Sequence, residues 1–424
     1  MTFITRNSFR FLFSLIVIIS FQDSFAQDNP VISSDSLLHR ISALEKRLEE
    51  NKKLYVGGFI HVQWSTSPQA GVQRVGELST SELNESNYNR IGVRRGRIIT
   101  SYEDKGCMGF LQCDLTEKGV LLVDGFINVR EPWLKMFSLK GGLFSDPFGI
   151  EVPFATFNLE SIEKSRIIKT LFPDDKDLGA VVTFQPLVKS PLSGLKLETG
   201  FLTGNGLGKD ADNHKDFIAH LTYAASAHKL NYSLGSSLYL GKVINRKGYY
   251  SMSGKQFVLA TDTSRFANRI YYGLEGQVSR TWLLGKLTLR GEYVFGLQPG
   301  SSTKTLSPGL TNVVSGDNYE RLFAGGYLHL VQDILNTKHT LSLKFDWYDP
   351  NTRLHGNEIG TAAFSGAADI TYGTWGFGYL FRMNDHVKLM AYYERVINET
   401  SRNLTAYNHD IKDDVLTLRM QYKF

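Results

Sequence analysis

Leu416-Thr417-Leu418-Arg419-Met420-Gln421-Tyr422-Lys423-Phe424 closes the chain, and its reading decides the fold. Successive side chains of an extended strand point to opposite faces. Leu416, Leu418, Met420, Tyr422 and Phe424 therefore form an apolar side, and Thr417, Arg419, Gln421 and Lys423 a polar one. The same period of two recurs upstream. Leu287, Leu289, Tyr293 and Phe295 alternate with Lys286, Thr288, Arg290 and Glu292. Leu341, Leu343, Phe345 and Trp347 alternate with Ser342, Lys344, Asp346 and Tyr348, and Tyr232, Leu234 and Leu238 with Asn231, Ser233, Ser237 and Tyr239. Each run is about ten residues long, the length a tilted strand needs to cross a bilayer. Strands of soluble sheets are usually about five or six residues. Trp133, Trp282, Trp347, Tyr348 and Tyr422 fall near strand ends, where membrane barrels carry their interfacial aromatic girdles.

Working outward, the pattern predicts strands at 54–64, 88–102, 107–116, 121–130, 133–144, 178–186, 195–203, 215–224, 228–240, 268–281, 284–296, 319–330, 338–348, 370–382, 386–396 and 411–424. That is about sixteen, an even number, as in bacterial single-chain barrels. Connections alternate in length. Those at 65–87, 145–177, 204–214, 241–267, 297–318, 349–369 and 397–410 are long, and those at 103–106, 131–132, 225–227, 282–283 and 383–385 are tight. The connection at 117–120 is short for the long side, and 187–194 and 331–337 are stretched for the short side. A soluble sandwich has no reason to sort its loops, whereas an outer-membrane barrel has short periplasmic turns and long outer loops. Lipid admits a sheet only when every edge is paired, so a spanning sheet closes on itself. The expected fold is an all-β transmembrane antiparallel barrel over 54–424, with both termini on the periplasmic side.

The N-terminus reads as an export signal, 1–26. Arg6 and Arg10 precede an apolar stretch from Phe11 to Phe21, and Ser24-Phe25-Ala26 puts small residues at a cleavage site before Gln27. The stretch is shorter than the ~20 residues of a spanning helix. Segment 27–53 then reads as a periplasmic helix. Leu37, Ile41, Leu44 and Leu48 recur at helical spacing behind Ser33-Ser34-Asp35. Two roles stay open for it, packing on the barrel mouth or a short coiled coil between subunits.

Composition agrees with a wall apolar on one side only: aromatics are 12%, hydrophobic residues 42%, with 39 Gly and 11 Pro. The net charge is +5; the leader holds Arg6 and Arg10 against Asp23, so its removal leaves +4, too mild for nucleic acid. Cys107 and Cys113 share a strand face about 20 Å apart, beyond the reach of a disulfide. Gly204-x-Gly206-x-Gly208 opens no helix and reads as a turn rather than a nucleotide loop. His214, His220 and His228 lack metal-ligand spacing. No cofactor, metal or catalytic constellation is expected, and the chain reads as a non-enzyme.

Specific residues resemble the phosphate-selective porin O/P family. Val93-Arg94-Arg95-Gly96-Arg97-Ile98 is similar to that family's arginine-rich early strand. Gly141-Gly142-Leu143-Phe144-Ser145-Asp146-Pro147-Phe148-Gly149 resembles its Gly-x-Phe-x-x-Pro-Phe-Gly segment, and Phe172-Pro173 with Lys176-Asp177-Leu178-Gly179 its return into the barrel. Phe424 resembles the terminal signal read by the barrel-assembly machinery. The likeness is motif-specific over 90–180 and architectural elsewhere. It implies sixteen strands, a homotrimer in outer-membrane lipid, passive diffusion of small anionic or neutral solutes, and a constriction loop at 145–177. It also implies phosphate or anion preference through lumen cations, since fixed cations in a channel raise the local anion concentration.

The pore-lining candidates are Arg95, Arg97, Lys164, Arg166, Lys169, Lys176, Lys286, Arg290, Lys344, Lys388 and Arg419. Arg94 falls on the opposite parity to Arg95 and Arg97. The loop departs from the family pattern: Asp146, Glu151, Glu160, Glu163, Asp174, Asp175 and Asp177 against Lys164, Arg166, Lys169 and Lys176 leave it at −3. A non-selective or non-conducting structural barrel and a barrel enzyme are the competing readings.

Overall fold

The computed structural model describes residues 53–68, 88–116, 119–187, 190, 192–210, 212–260, 265–310, 312, 316–335 and 337–424. The expected leader at 1–26, the helix at 35–50 and most of the first long connection lie outside them.

Strands run β1 Leu54–Ser67, β2 Tyr88–Asp104, β3 Cys107–Thr116, β4 Gly119–Arg130, β5 Phe137–Ser145, β6 Lys176–Phe184, β7 Leu195–Leu202, β8 Asp216–Ala227 and β9 Leu230–Ile244. Then follow β10 Tyr249–Ser253, β11 Gln256–Leu259, β12 Phe266–Trp282, β13 Gly285–Gly300, β14 Asn318–Asp333, β15 His339–Asp349, β16 Tyr372–Arg382, β17 Val387–Asn398 and β18 Val415–Lys423. From β1 to β9 and from β12 to β18 neighbours in sequence pair antiparallel, β9 pairs β12 across the connection 241–267, and β18 returns to β1 with Phe59 opposite Lys423 and Trp64 opposite Leu418. Among the described residues this is a closed ring of sixteen strands. The remaining two, β10 and β11, are a hairpin raised within 241–267, where the sequence reading has only loop.

The alternation does what the opening stretch predicts. On β18, Thr417, Arg419 and Gln421 are buried toward the lumen, while Leu416, Leu418, Met420 and Tyr422 are exposed outward. Leu234, Leu274, Leu289, Leu328, Leu341 and Phe377 continue the outward apolar surface. Lipid is the solvent that makes such a surface stable. Several boundaries shift by up to four residues from expectation, among them the end of β9 at Ile244, the end of β13 at Gly300 and the start of β18 at Val415, and β5 starts at Phe137, not 133. The Glu131 carboxylate accepts the backbone N–H groups of Trp133, Leu134 and Met136, closing a turn that leaves Trp133 exposed at the rim.

The longest loop, 146–175, turns inward. It carries a 3-10 turn at Thr156–Asn158 and one short α-helix, α1 (Arg166–Leu171), whose Ile167 and Ile168 are fully buried. With Phe148, Val152, Leu171 and Phe172 they pack on the inward side chains Val181, Ile218, Tyr239, Tyr271, Val294, Phe323 and Tyr348. The loop thus lies against the wall from β6 to β15. The loops after β15 and β17 form a second core above the rim, with Leu354, Ile359, Ile370 and Tyr407 packed beside Met252 of β10. Arg321 of β14 meets Asp369 there at 2.8 Å with both side chains wholly buried, and Asn351 donates to the same carboxylate at 2.7 Å.

Candidate functional site: the lumen and its constriction loop

Glu163 is the loop's main anchor. Its carboxylate takes both ends of the Arg95 guanidinium at 2.7 and 3.0 Å, Arg419 at 2.8 Å and Arg94 at 3.1 Å. Arg419 also donates to Gln63 at 3.0 Å and to the Ile162 carbonyl at 2.6 Å. Burial alone would raise the Glu163 pKa, but the charges of Arg94, Arg95 and Arg419 hold it well below the usual carboxylate range. The expectation that Arg94 faces away from Arg95 is corrected by the backbone. The β1–β2 register slips so that His61 opposes Arg95 and Val62 opposes Val93. Arg94 is the extra residue of a β-bulge, which re-aims a side chain that strict alternation would turn outward.

The other wall cations meet the loop in the same way. Arg290 forms a two-pronged pair with Glu160, both contacts 3.1 Å, and lies 4.8 Å over the Phe154 ring. Lys344 pairs with Glu151, which also accepts the Ser165 N–H at 2.7 Å. Lys388 donates to the Phe157 and Leu159 carbonyls at 2.9 and 3.1 Å. Within the loop, Lys164 and Lys169 share Asp175 at 3.0 and 3.1 Å, and the Arg166 guanidinium lies 4.2 Å over Tyr372. Lys176 pairs with Asp124 at 2.8 Å, and Arg97 stands 3.6 Å from Asp114. Lys286 is exposed at the start of β13, away from this belt.

The eleven sequence candidates therefore separate by partner. Arg95, Arg290, Lys344, Lys388 and Arg419 are wall groups answered by oxygens of the loop. The excess of loop acids, which argues in sequence against an anion filter, has its explanation here: Glu151, Glu160 and Glu163 are the counter-charges of the wall. Sequence reading missed Glu163 as the hub, and equally the buried Arg269–Asp216 pair joined by the Tyr239 hydroxyl. The loop's charge imbalance was the one available signal for the former.

Beneath the loop, on the side of the tight turns, lies a cavity of about 540 Å³. Its wall comes from β1 to β9 and β12, with β6 contributing only Lys176, and its roof is the loop stretch from Pro147 to Phe157. Gly149 at the roof has φ +61, and a Cβ there would run into the Glu292 carboxylate. Glu292 in turn accepts the Glu151 N–H and the Tyr327 hydroxyl, each at 2.6 Å. Among the described residues no group of three or more His, Cys, Asp or Glu is placed to hold a metal.

A closed ring of sixteen antiparallel strands, apolar outside and polar within, with a long loop folded into its lumen, is a transmembrane β-barrel of the outer-membrane porin type. Among solved structures the chain is similar in fold to Pseudomonas putida OprB (TM-score 0.54, 9% identity, covering 95% of this chain and 100% of that one). It is likewise similar to the outer membrane channel DcaP of Acinetobacter baumannii (TM-score 0.53, 10% identity, 88% and 97%). No protein-family model and no curated protein matches the sequence.

Proposed function

We propose that the protein is an outer-membrane porin through which small solutes diffuse passively, with the loop 146–175 as its constriction. The observation that carries this reading is an inner face that is polar except where the loop packs on it, with a cavity under a loop anchored on several sides. A polar interior holds water, and a loop fixed by buried ion pairs narrows the path without closing the ring. In this reading the termini and the tight turns face the periplasm, the long loops face outward, Phe424 is the assembly signal, and the working unit is a homotrimer. Purified protein in a planar bilayer is expected to give discrete conductance steps in KCl; a membrane that stays silent with folded protein inserted overturns the reading.

Anion or phosphate preference rests on the resemblance of 90–180 to the phosphate-selective family. The pairing of Arg95, Arg290, Lys344 and Arg419 with loop carboxylates leaves those cations neutralised, so the expected permselectivity is weak. Reversal potentials in a KCl gradient, with and without phosphate, test the preference directly.

A further inference from the structure

We propose that the cavity beneath the constriction loop binds a small aromatic carboxylate, with Lys140 as the group that holds its charge. The proposal deepens the porin reading, and it rests on that reading for the route by which a solute arrives.

Five cations line the cavity: Arg97, Lys140, Lys164, Lys176 and Lys196. Four of them have carboxylate partners, Asp114, Asp175, Asp124 and Glu198 in that order. Among the described residues, Lys140 alone of these five makes no ion pair or hydrogen bond to an oxygen. Its ammonium instead lies 5.5 Å from the centre of the Phe126 ring and 5.3 Å from that of Phe144. Ring faces attract a cation but satisfy none of its N–H donors. An ammonium so placed gains more from a carboxylate than the paired lysines do, because no internal partner has to be displaced.

The surroundings of Lys140 select the rest of the ligand. Phe110 stacks on Phe126 at 5.0 Å with an interplanar angle of 16°, and Phe144 meets Phe126 edge-on at 6.4 Å. Phe154 and Phe157 hang from the roof into the same space. Rings favour offset-stacked or edge-to-face neighbours, so an aromatic body fits between wall and roof while its carboxylate reaches Lys140. Inorganic phosphate gains nothing from those rings. A volume of about 540 Å³ lies in the range of ordinary small-molecule sites.

The probe is sodium benzoate, added to wild-type channels in KCl. Transient blockades are expected, while benzyl alcohol and inorganic phosphate at the same concentration leave the current unchanged. Lys140→Met should raise the half-blocking benzoate concentration about tenfold, the loss of one charge-assisted contact, and Lys140→Arg should restore most of it. Conducting channels indifferent to benzoate overturn the proposal. Equal block by phosphate overturns its aromatic half, and an unchanged Lys140→Met its lysine. Should no variant conduct, the porin reading fails separately. Saturation-transfer NMR of benzoate on the detergent-solubilised barrel then decides: signal lost in Lys140→Met supports the site, and equal or absent signal in both proteins removes it.

Discussion

One carboxylate, Glu163, answers three guanidinium groups, and its removal shows what each side was doing. Glu163→Gln keeps the shape and removes the charge, leaving Arg94, Arg95 and Arg419 without their counter-ion. The expected outcome is a reversal potential shifted toward chloride in a KCl gradient; an unshifted potential would mean these arginines lie off the ion path. Breaking one partner of a buried pair typically costs about 3–5 kcal/mol, so the melting temperature of the folded barrel should fall as well. The pH dependence has a definite sign. Because its neighbours hold Glu163 well below the ordinary range, its contribution is fully present above the unfolded value of about 4.3. It is lost only as pH falls further, through the folded value. Melting curves are expected to show an acid limb below that point, shallower in Glu163→Gln than in the wild type.

At the scale of elements, the loop 146–175 is held by conformation as well as charge. Gly149 sits at φ +61 against Glu292, so Gly149→Ala adds both backbone strain and a steric conflict, at a cost of at least about 1 kcal/mol. The loop should then loosen, and trypsin should cut the folded barrel near Lys164, Arg166 or Lys169, sites buried or half-buried in the wild type; equal protection would place the anchoring elsewhere. The strands themselves were legible because a period of two is a local property. Leu416 to Tyr422 and Leu287 to Phe295 announce their faces without reference to anything distant. The site was legible only in part. Arg95 and Glu163 are 68 positions apart, and Arg419 and Glu163 256, so no window of sequence contains the pairing. Parity also failed at Arg94, where a single inserted residue redirects a side chain that counting alone assigns to the wrong face. Trp133 was read into a strand for its girdle position, yet the Glu131 turn claims it first.

On the scale of the whole molecule, the long loops after β15 and β17 add a second layer fixed by Arg321 and Asp369. Arg321→Met strands a buried carboxylate and should lower the melting temperature more than the double change Arg321→Met with Asp369→Leu, since replacing both members of a buried pair is often near neutral. Calorimetry of the two variants decides; equal melting temperatures would show that the pair does not fasten this layer. The ring closes between β1 and β18, where Gly58 and Phe424 exchange backbone hydrogen bonds at 3.0 Å and His61 meets Gln421 at 2.8 Å. Glu163 grips this same seam, since Arg94 and Arg95 belong to β2, Arg419 to β18, and Gln63 of β1 supports Arg419. A residue from the middle of the chain therefore rivets its two ends together. The rivet has no complete hole to enter until the first and last strands have met. Sealing the hoop completes the socket of its inner strut, and a chain caught with its seam open lacks the Arg419 share of the Glu163 grip while its other moorings on β13, β15 and β17 remain.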